Sequence, residues 1–71
     1  MKEIYIKDEY IKLGQAMKLC GAVQSGVEAK LMIEDEEIKV NGITENRRGK
    51  KLREGDVFSC GGCDYVIKEK T

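Results

Sequence analysis

The chain contains no histidine, no proline and no tryptophan. Without histidine it lacks the commonest general base and the commonest metal ligand, so neither a Ser-His-Asp nor a Cys-His site can be built from it. It has no G-x-x-x-x-G-K-[ST] and no G-x-G-x-x-G, so the glycine-rich phosphate loops are absent as well. No apolar run approaches the roughly 18 residues that span a bilayer. Residues Met1 to Glu9 carry acids where a secretory leader has an apolar core, so a cytoplasmic location and no membrane partner are expected. Net charge is missing too: 13 Lys and Arg balance 13 Asp and Glu. That excludes a whole-molecule attraction to polyanions and leaves only an uneven distribution of charge to supply one.

What remains is 71 residues, 41% hydrophobic and 37% charged. This is enough apolar material for one thin core and one domain, expected over 1–71. So short a chain hardly encloses a deep pocket, and no paired carboxylates flank a plausible cleft. An independent enzyme is not expected, nor is a bound cofactor.

The pattern of apolar residues alternates between the two periods. Glu3 to Ile11, rich in Ile and Tyr, reads as one or two short strands. Leu13, Ala16, Met17 and Cys20 then stand at i, i+3, i+4 and i+7, the stripe of an amphipathic helix that Gly21 ends. Lys12, Gln15 and Lys18 share its solvent side. Ser25-Gly26-Val27-Glu28 fits a capping box opening a second helix, with Ala29, Met32 and Ile33 on its core face and Lys30 pointing away. Glu34 to Glu37 places four acids at that helix end, against the macrodipole, and predicts an early stop or fraying. In Ile38-Lys39-Val40-Asn41-Gly42-Ile43-Thr44 the Asn-Gly pair predicts a type I′ hairpin, with Ile38 and Val40 inward and Lys39 outward. A polar stretch from Glu45 to Lys51 leads through the Glu54-Gly55-Asp56 turn into a last hairpin. The order of strands, two helices and strands is α+β, a helix pair packed beside a small antiparallel sheet.

The three cysteines, Cys20, Cys60 and Cys63, are too few and odd in number for a secreted disulfide framework. Cys60-Gly61-Gly62-Cys63 has three readings. Zinc would need four ligands, and with Cys20 only three thiols are present. A redox pair wants the start of a helix, where the thiol pKa falls. The flanks look like strands and Gly-Gly suits a two-residue hairpin, so two cysteines facing across a tight turn is the preferred reading.

Charge is segregated along the chain. From Lys39 to Arg53 six cations (Lys39, Arg47, Arg48, Lys50, Lys51 and Arg53) face one acid, Glu45, a local charge of +5. Such a stretch suits phosphate oxygens, which Arg grips bidentately, and Gly49 lets a backbone come close. It suits equally a solvated loop or one paired with the acids at Glu34 to Glu37. The four aromatic residues lie outside it, which favours shape and phosphate recognition over base stacking.

The ordered set Ile11-Lys12-Leu13-Gly14-Gln15-Ala16-Met17-Lys18-Leu19, Ser25-Gly26-Val27-Glu28-Ala29-Lys30, Ile38-Lys39-Val40-Asn41-Gly42, Asn46-Arg47-Arg48-Gly49-Lys50-Lys51-Leu52 and Gly55-Asp56-Val57 resembles the S4 RNA-binding domain. More narrowly it is similar to the small stand-alone bacterial members of that family, the YaaA/YbcJ type, over about residues 9–67. The resemblance implies an S4-like (αL) fold with structured RNA across the helix pair and the adjoining hairpin. Carried over position by position, it points to Lys12, Gln15 and Lys18 on the first helix, Ser25 and Lys30 on the second, Lys39 and Asn41 on the hairpin, and Arg47, Arg48, Lys50 and Lys51 in the basic stretch. The chain departs from the general family pattern, which often has an acid at the position of Gly14, Arg at Gly26, and Gly and a cation at Glu36 and Glu37. The acidic pair argues against an RNA contact at that edge.

The expected function is therefore non-catalytic binding of structured RNA. Ribosomal RNA in ribosome assembly or maturation comes ahead of tRNA-like RNA, with ribosomal particles or a protein as further partners. The alternative is a protein-interaction adaptor whose basic loop is merely solvated. A ubiquitin-like sulfur carrier is disfavoured, because Lys68-Glu69-Lys70-Thr71 stands where a carrier has Gly-Gly.

Overall fold

The computed structural model describes residues 1–70; Thr71, the last residue of the expected 1–71 domain and of the Lys68–Thr71 segment, lies outside them. The chain runs β1 (Lys2–Ile6), β2 (Ile11–Lys12), α1 (Leu13–Leu19), α2 (Gly26–Glu34), β3 (Lys39–Val40), β4 (Ile43–Thr44), β5 (Lys51–Leu52), β6 (Val57–Cys60) and β7 (Cys63–Glu69). Five strands form one sheet in the order β1-β7-β6-β3-β4, and β2 pairs with β5 in a separate ribbon. The class is α+β, as the patterning requires. The sheet is mixed rather than antiparallel throughout: β1 lies parallel to β7, Lys2 opposite Tyr65 and Ile6 opposite Glu69. A parallel neighbour needs a long crossover, and here that crossover is nearly the whole chain.

Alternation along the strands turns Ile4 and Ile6, Phe58 and Cys60, and Tyr65 and Ile67 to one face of the sheet. Phe58 and Tyr65 are register partners, and their rings stack with centroids 5.1 Å apart. Leu13, Ala16 and Met17 from α1 and Ala29 and Ile33 from α2 join the same cluster, with Ile38, Val40 and Leu52. Full burial of aliphatic side chains of this kind contributes about 1.5–3 kcal/mol each, which is what holds so small a fold together.

The two tight turns form as the sequence requires, and the Ser25–Glu28 capping box forms in its serine half. Asn41 (φ 52) and Gly42 (φ 83) make the β3–β4 turn, and Gly61 (φ 60) and Gly62 (φ 82) the β6–β7 turn that sets Cys60 opposite Cys63. Ser25 Oγ accepts the Glu28 N–H at 3.2 Å, opening α2. The strands β2 and β5, two residues each, fall below what periodicity can show.

Both helices end in the same closed turn. After α1, Gly21 donates to the Lys18 carbonyl and Ala22 to that of Met17, both at 3.1 Å. After α2, Glu36 donates to Ile33 at 3.1 Å and Glu37 to Met32 at 3.2 Å. This double closure requires a left-handed residue, usually glycine. Gly21 (φ 80) supplies it after α1, but after α2 the position is held by Glu36 at φ 59. The acidic run thus stops the helix at Glu34, as expected, at the cost of a side chain in left-handed space.

Glu36→Gly should therefore stabilise the fold by about 0.5–1 kcal/mol after allowing for the freer unfolded chain. Thermal or urea denaturation measures it; a variant less stable than the parent would show that Glu36 carries no strain.

Candidate functional site

The basic stretch is built onto the first helix through the backbone. The β2–β5 ribbon pairs Ile11 with Leu52 and Lys12 with Lys51. Its ladder then continues into the helix: the Leu13 N–H donates to the Lys50 carbonyl at 2.8 Å, and the Gly14 N–H to the Arg48 carbonyl at 3.0 Å. Two of the donors that a helix start leaves unmade are thereby satisfied by the loop itself. The Gln15 side chain accepts the Lys12 N–H at 3.4 Å. The α1 terminus consequently offers a ligand its side chains rather than these N–H groups.

Above this junction lies an open groove of about 450 Å³, lined by Lys12, Gly14, Gln15, Lys18, Gly26, Arg48 and Gly49. The Arg48 side chain crosses it. A Cβ on Gly14 would stand 2.6 Å from Arg48 Cγ and 3.2 Å from Cδ, and one on Gly26 3.8 Å from its Nη1. The methylenes of Arg48 thus rest on bare helix backbone, and its guanidinium reaches the start of α2.

Gly49 belongs also to a neighbouring concavity formed with Arg47, Lys50, Lys51 and Arg53. Lys30 meets Arg48 again in a third hollow, with Ile33, Glu34 and Asn46. Of the residues singled out from sequence, Lys12, Gln15, Lys18 and Arg48 share one groove; Arg47, Lys50 and Lys51 flank it, and Ser25 immediately precedes its Gly26 wall. Lys39 and Asn41 line none of these concavities. Lys39 is exposed on β3, and the Asn41 side chain is engaged internally, donating to Asp56 Oδ1 at 3.2 Å and accepting the Val57 N–H at 3.0 Å.

The cations are not equivalent. Arg47 forks onto Glu45, Nε to Oε2 at 3.0 Å and Nη2 to Oε1 at 3.4 Å, while Glu45 Oε2 also accepts the N–H groups of Asn46 and Arg47. Hydrogen bonding from Arg47 holds the Glu45 carboxyl below its ordinary range, against a smaller opposing effect of burial. Lys30 pairs with Glu34 at 3.9 Å, one helical turn on, an exposed contact worth little. Arg48 is in no ion pair among the described residues.

Sequence reasoning passed over Tyr10. The ribbon brings its ring under Lys51 Nζ at 4.8 Å and the Arg53 guanidinium at 5.7 Å, so an aromatic does stand beside the basic surface. In sequence Gly14 and Gly26 stand out only as departures from the family pattern, because their role depends on the Arg48 side chain, 22 residues or more away. The cysteines lie elsewhere: burial pushes the Cys60 thiol up, with Cys20, Glu37 and Cys63 adding to it, the reverse of an activated thiol.

The family described as S4 domain matches residues 4–68 of this chain. The "Probable ribosome maturation protein RlbA" of Bacillus subtilis (strain 168) is 46% identical over 59 residues, 83% of each chain. YbcJ of Escherichia coli (strain K12) is 34% identical over 56 residues, covering 79% of this chain and 80% of its own. The solution structure of YbcJ from E. coli, described as revealing an αL motif involved in RNA binding, superposes with a TM-score of 0.73 at 29% identity, over 96% of this chain and 87% of that one.

The Glu45–Arg47 clamp carries a pH signature. The folded carboxyl is held below its ordinary value of 4.5, so the clamp stabilises the loop above that value and is lost as pH falls through the lowered one. In an NMR titration the Glu45 side chain should show a midpoint below 4.5, with the Asn46 and Arg47 amides moving in step. A midpoint at or above the ordinary value would mean that the clamp does not form in solution.

Proposed function

The chain belongs to the S4 domain family, and on that premise we propose that it binds structured RNA without acting on it chemically, with ribosomal RNA during ribosome maturation as the first candidate. One observation carries the reading: in a protein of zero net charge, the backbone ladder between β2, β5 and α1 gathers Lys12, Lys18, Arg48, Lys50 and Lys51 around one continuous, open surface. An open basic groove suits a polyanion whose phosphates recur along a curved backbone. The name of the 46% identical relative supports a ribosomal RNA, and the description of YbcJ supports RNA as the polymer. Three free cysteines are compatible with action in the reducing cytoplasm. None of the helices described is long and apolar enough to cross a membrane.

Recognition by phosphate neutralisation releases counterions, so affinity should fall steeply with salt. Titrating the protein with ribosomal RNA fragments, tRNA and duplex DNA across a salt series should give tighter binding to the structured RNAs. Replacing Arg47, Arg48, Lys50 and Lys51 together by Ala should flatten the log K against log salt slope by roughly three, about one per free cation, because Glu45 already neutralises Arg47. Equal affinity for duplex DNA, or an unchanged slope in the fourfold variant, would contradict RNA recognition through this surface.

A further inference from the structure

Among the cations of the surface Arg48 is set apart by lying with its methylenes on glycine backbone while its guanidinium stays free of any ion pair among the described residues. Three constraints act on it in sequence. Its carbonyl is fixed by the Gly14 N–H at 3.0 Å. Its methylenes lie where a Cβ of residue 14 would be, 2.6 Å from that point at Cγ. Its Nη1 lies 3.8 Å from the place a Cβ of Gly26 would take. Arg48 is exposed, as are Lys12, Lys18, Lys51 and Arg53, and Lys50 is half-buried, but none of these others lies against a glycine. Arg47 is turned onto Glu45, and Lys51 and Arg53 stand over Tyr10.

A free Arg or Lys side chain loses rotamer entropy when it is immobilised on a ligand. Contact with Gly14 restricts the Arg48 methylenes before any ligand arrives, yet no carboxylate among the described residues occupies its guanidinium. A planar fork held in place and left unpaired is suited to bidentate contact with a phosphodiester.

Resting on the RNA-binding reading above, we propose that Arg48 is the anchoring phosphate contact of this surface and that Gly14 is a positioning residue whose missing side chain seats it. On this view affinity is concentrated at one cation rather than spread evenly over the basic stretch. Gly14 matters to RNA although it carries no charge and no side chain to touch it.

The test is a double-mutant cycle read by RNA affinity, its salt slope and the thermal midpoint. The probe is a transcribed ribosomal RNA fragment containing a helical junction. Arg48→Ala should weaken binding by roughly tenfold or more, the scale of a charge-assisted hydrogen-bond pair, and Lys50→Ala, which removes a half-buried lysine without a planar fork, by only about threefold. Gly14→Ala should fall close to Arg48→Ala in affinity, because its Cβ displaces the Arg48 methylenes, and the thermal midpoint separates this loss from unfolding. The double variant should be no weaker than Arg48→Ala alone. Arg48→Lys should recover less than half of the loss, since it restores charge but not the fork. In the free protein the Arg48 Nε–H should be ordered on the nanosecond timescale and become mobile in Gly14→Ala.

Equal losses for Arg48→Ala and Lys50→Ala would overturn the anchoring role while leaving RNA binding intact. Additive losses in the double variant, or an unchanged Gly14→Ala, would overturn the positioning role. If the unaltered protein binds none of the RNAs at low salt, the RNA-binding reading and this proposal fall together. Should Gly14→Ala fail to fold, the comparison of Arg48→Ala, Arg48→Lys and Lys50→Ala still decides whether Arg48 anchors.

Discussion

Two backbone hydrogen bonds join the basic loop to the first helix, from Leu13 N–H to the Lys50 carbonyl and from Gly14 N–H to the Arg48 carbonyl. They do three things at once. They satisfy donors that the start of α1 would otherwise leave open. They extend the β2–β5 ribbon, whose two-residue strands could hardly persist alone. They also fix the chain on either side of Gly49, so that cations distant in sequence from α1 stand beside Lys12 and Lys18. Without this junction the stretch from Glu45 to Arg53 would be a solvated loop, and its charge would have no shape.

A neutral protein can present a polyanion-binding surface only by sorting its charges, and the fold does the sorting locally. The acids of Glu34 to Glu37 close α2, where two of their backbone N–H groups complete the terminal turn. Glu45 is the exception within the basic stretch, and it acts as a staple: it accepts two backbone N–H groups and the Arg47 guanidinium, so that one cation shapes the loop. The division of labour between adjacent arginines follows. Arg47 is turned onto Glu45, while Arg48 lies across the helix backbone with its guanidinium free of carboxylates. At physiological ionic strength charges more than about 8 Å apart are largely screened. It is therefore the clustering around the groove, not the net charge, that a ligand meets.

Much of this was legible in the chain. The stripes Leu13-Ala16-Met17 and Ala29-Met32-Ile33, the Ser25 cap, and the Asn41-Gly42 and Gly61-Gly62 turns are local signals, and the fold honours each of them. The S4 resemblance, carried by the order of those pieces, extended the reading to the family. The parallel seat of β1 against β7 was not legible, since it joins the two ends of the chain and leaves no periodic trace. Nor was the β2–β5 ribbon, too short to alternate, and with it went the approach of Tyr10 to Lys51 and Arg53. Asn41 looked like a polar group on offer, and its amide instead ties the hairpin to the loop before β6. Gly14 and Gly26 looked like losses of family side chains; in three dimensions they are the path along which Arg48 lies.

The central claim is that the face formed by α1, the start of α2 and the loop around Arg48 is the RNA-binding surface. Its most direct test is chemical-shift mapping of the isotope-labelled protein with a structured ribosomal RNA fragment at low salt. The largest changes should fall on the amides of Gly14, Gln15, Lys18, Gly26 and Gly49 and on the Arg48 side chain, with β1 (Lys2–Ile6) and the Glu34–Glu37 turn nearly silent. Shifts centred on β1, on the exposed β4 edge or on the acidic turn, with the groove unperturbed, would contradict it.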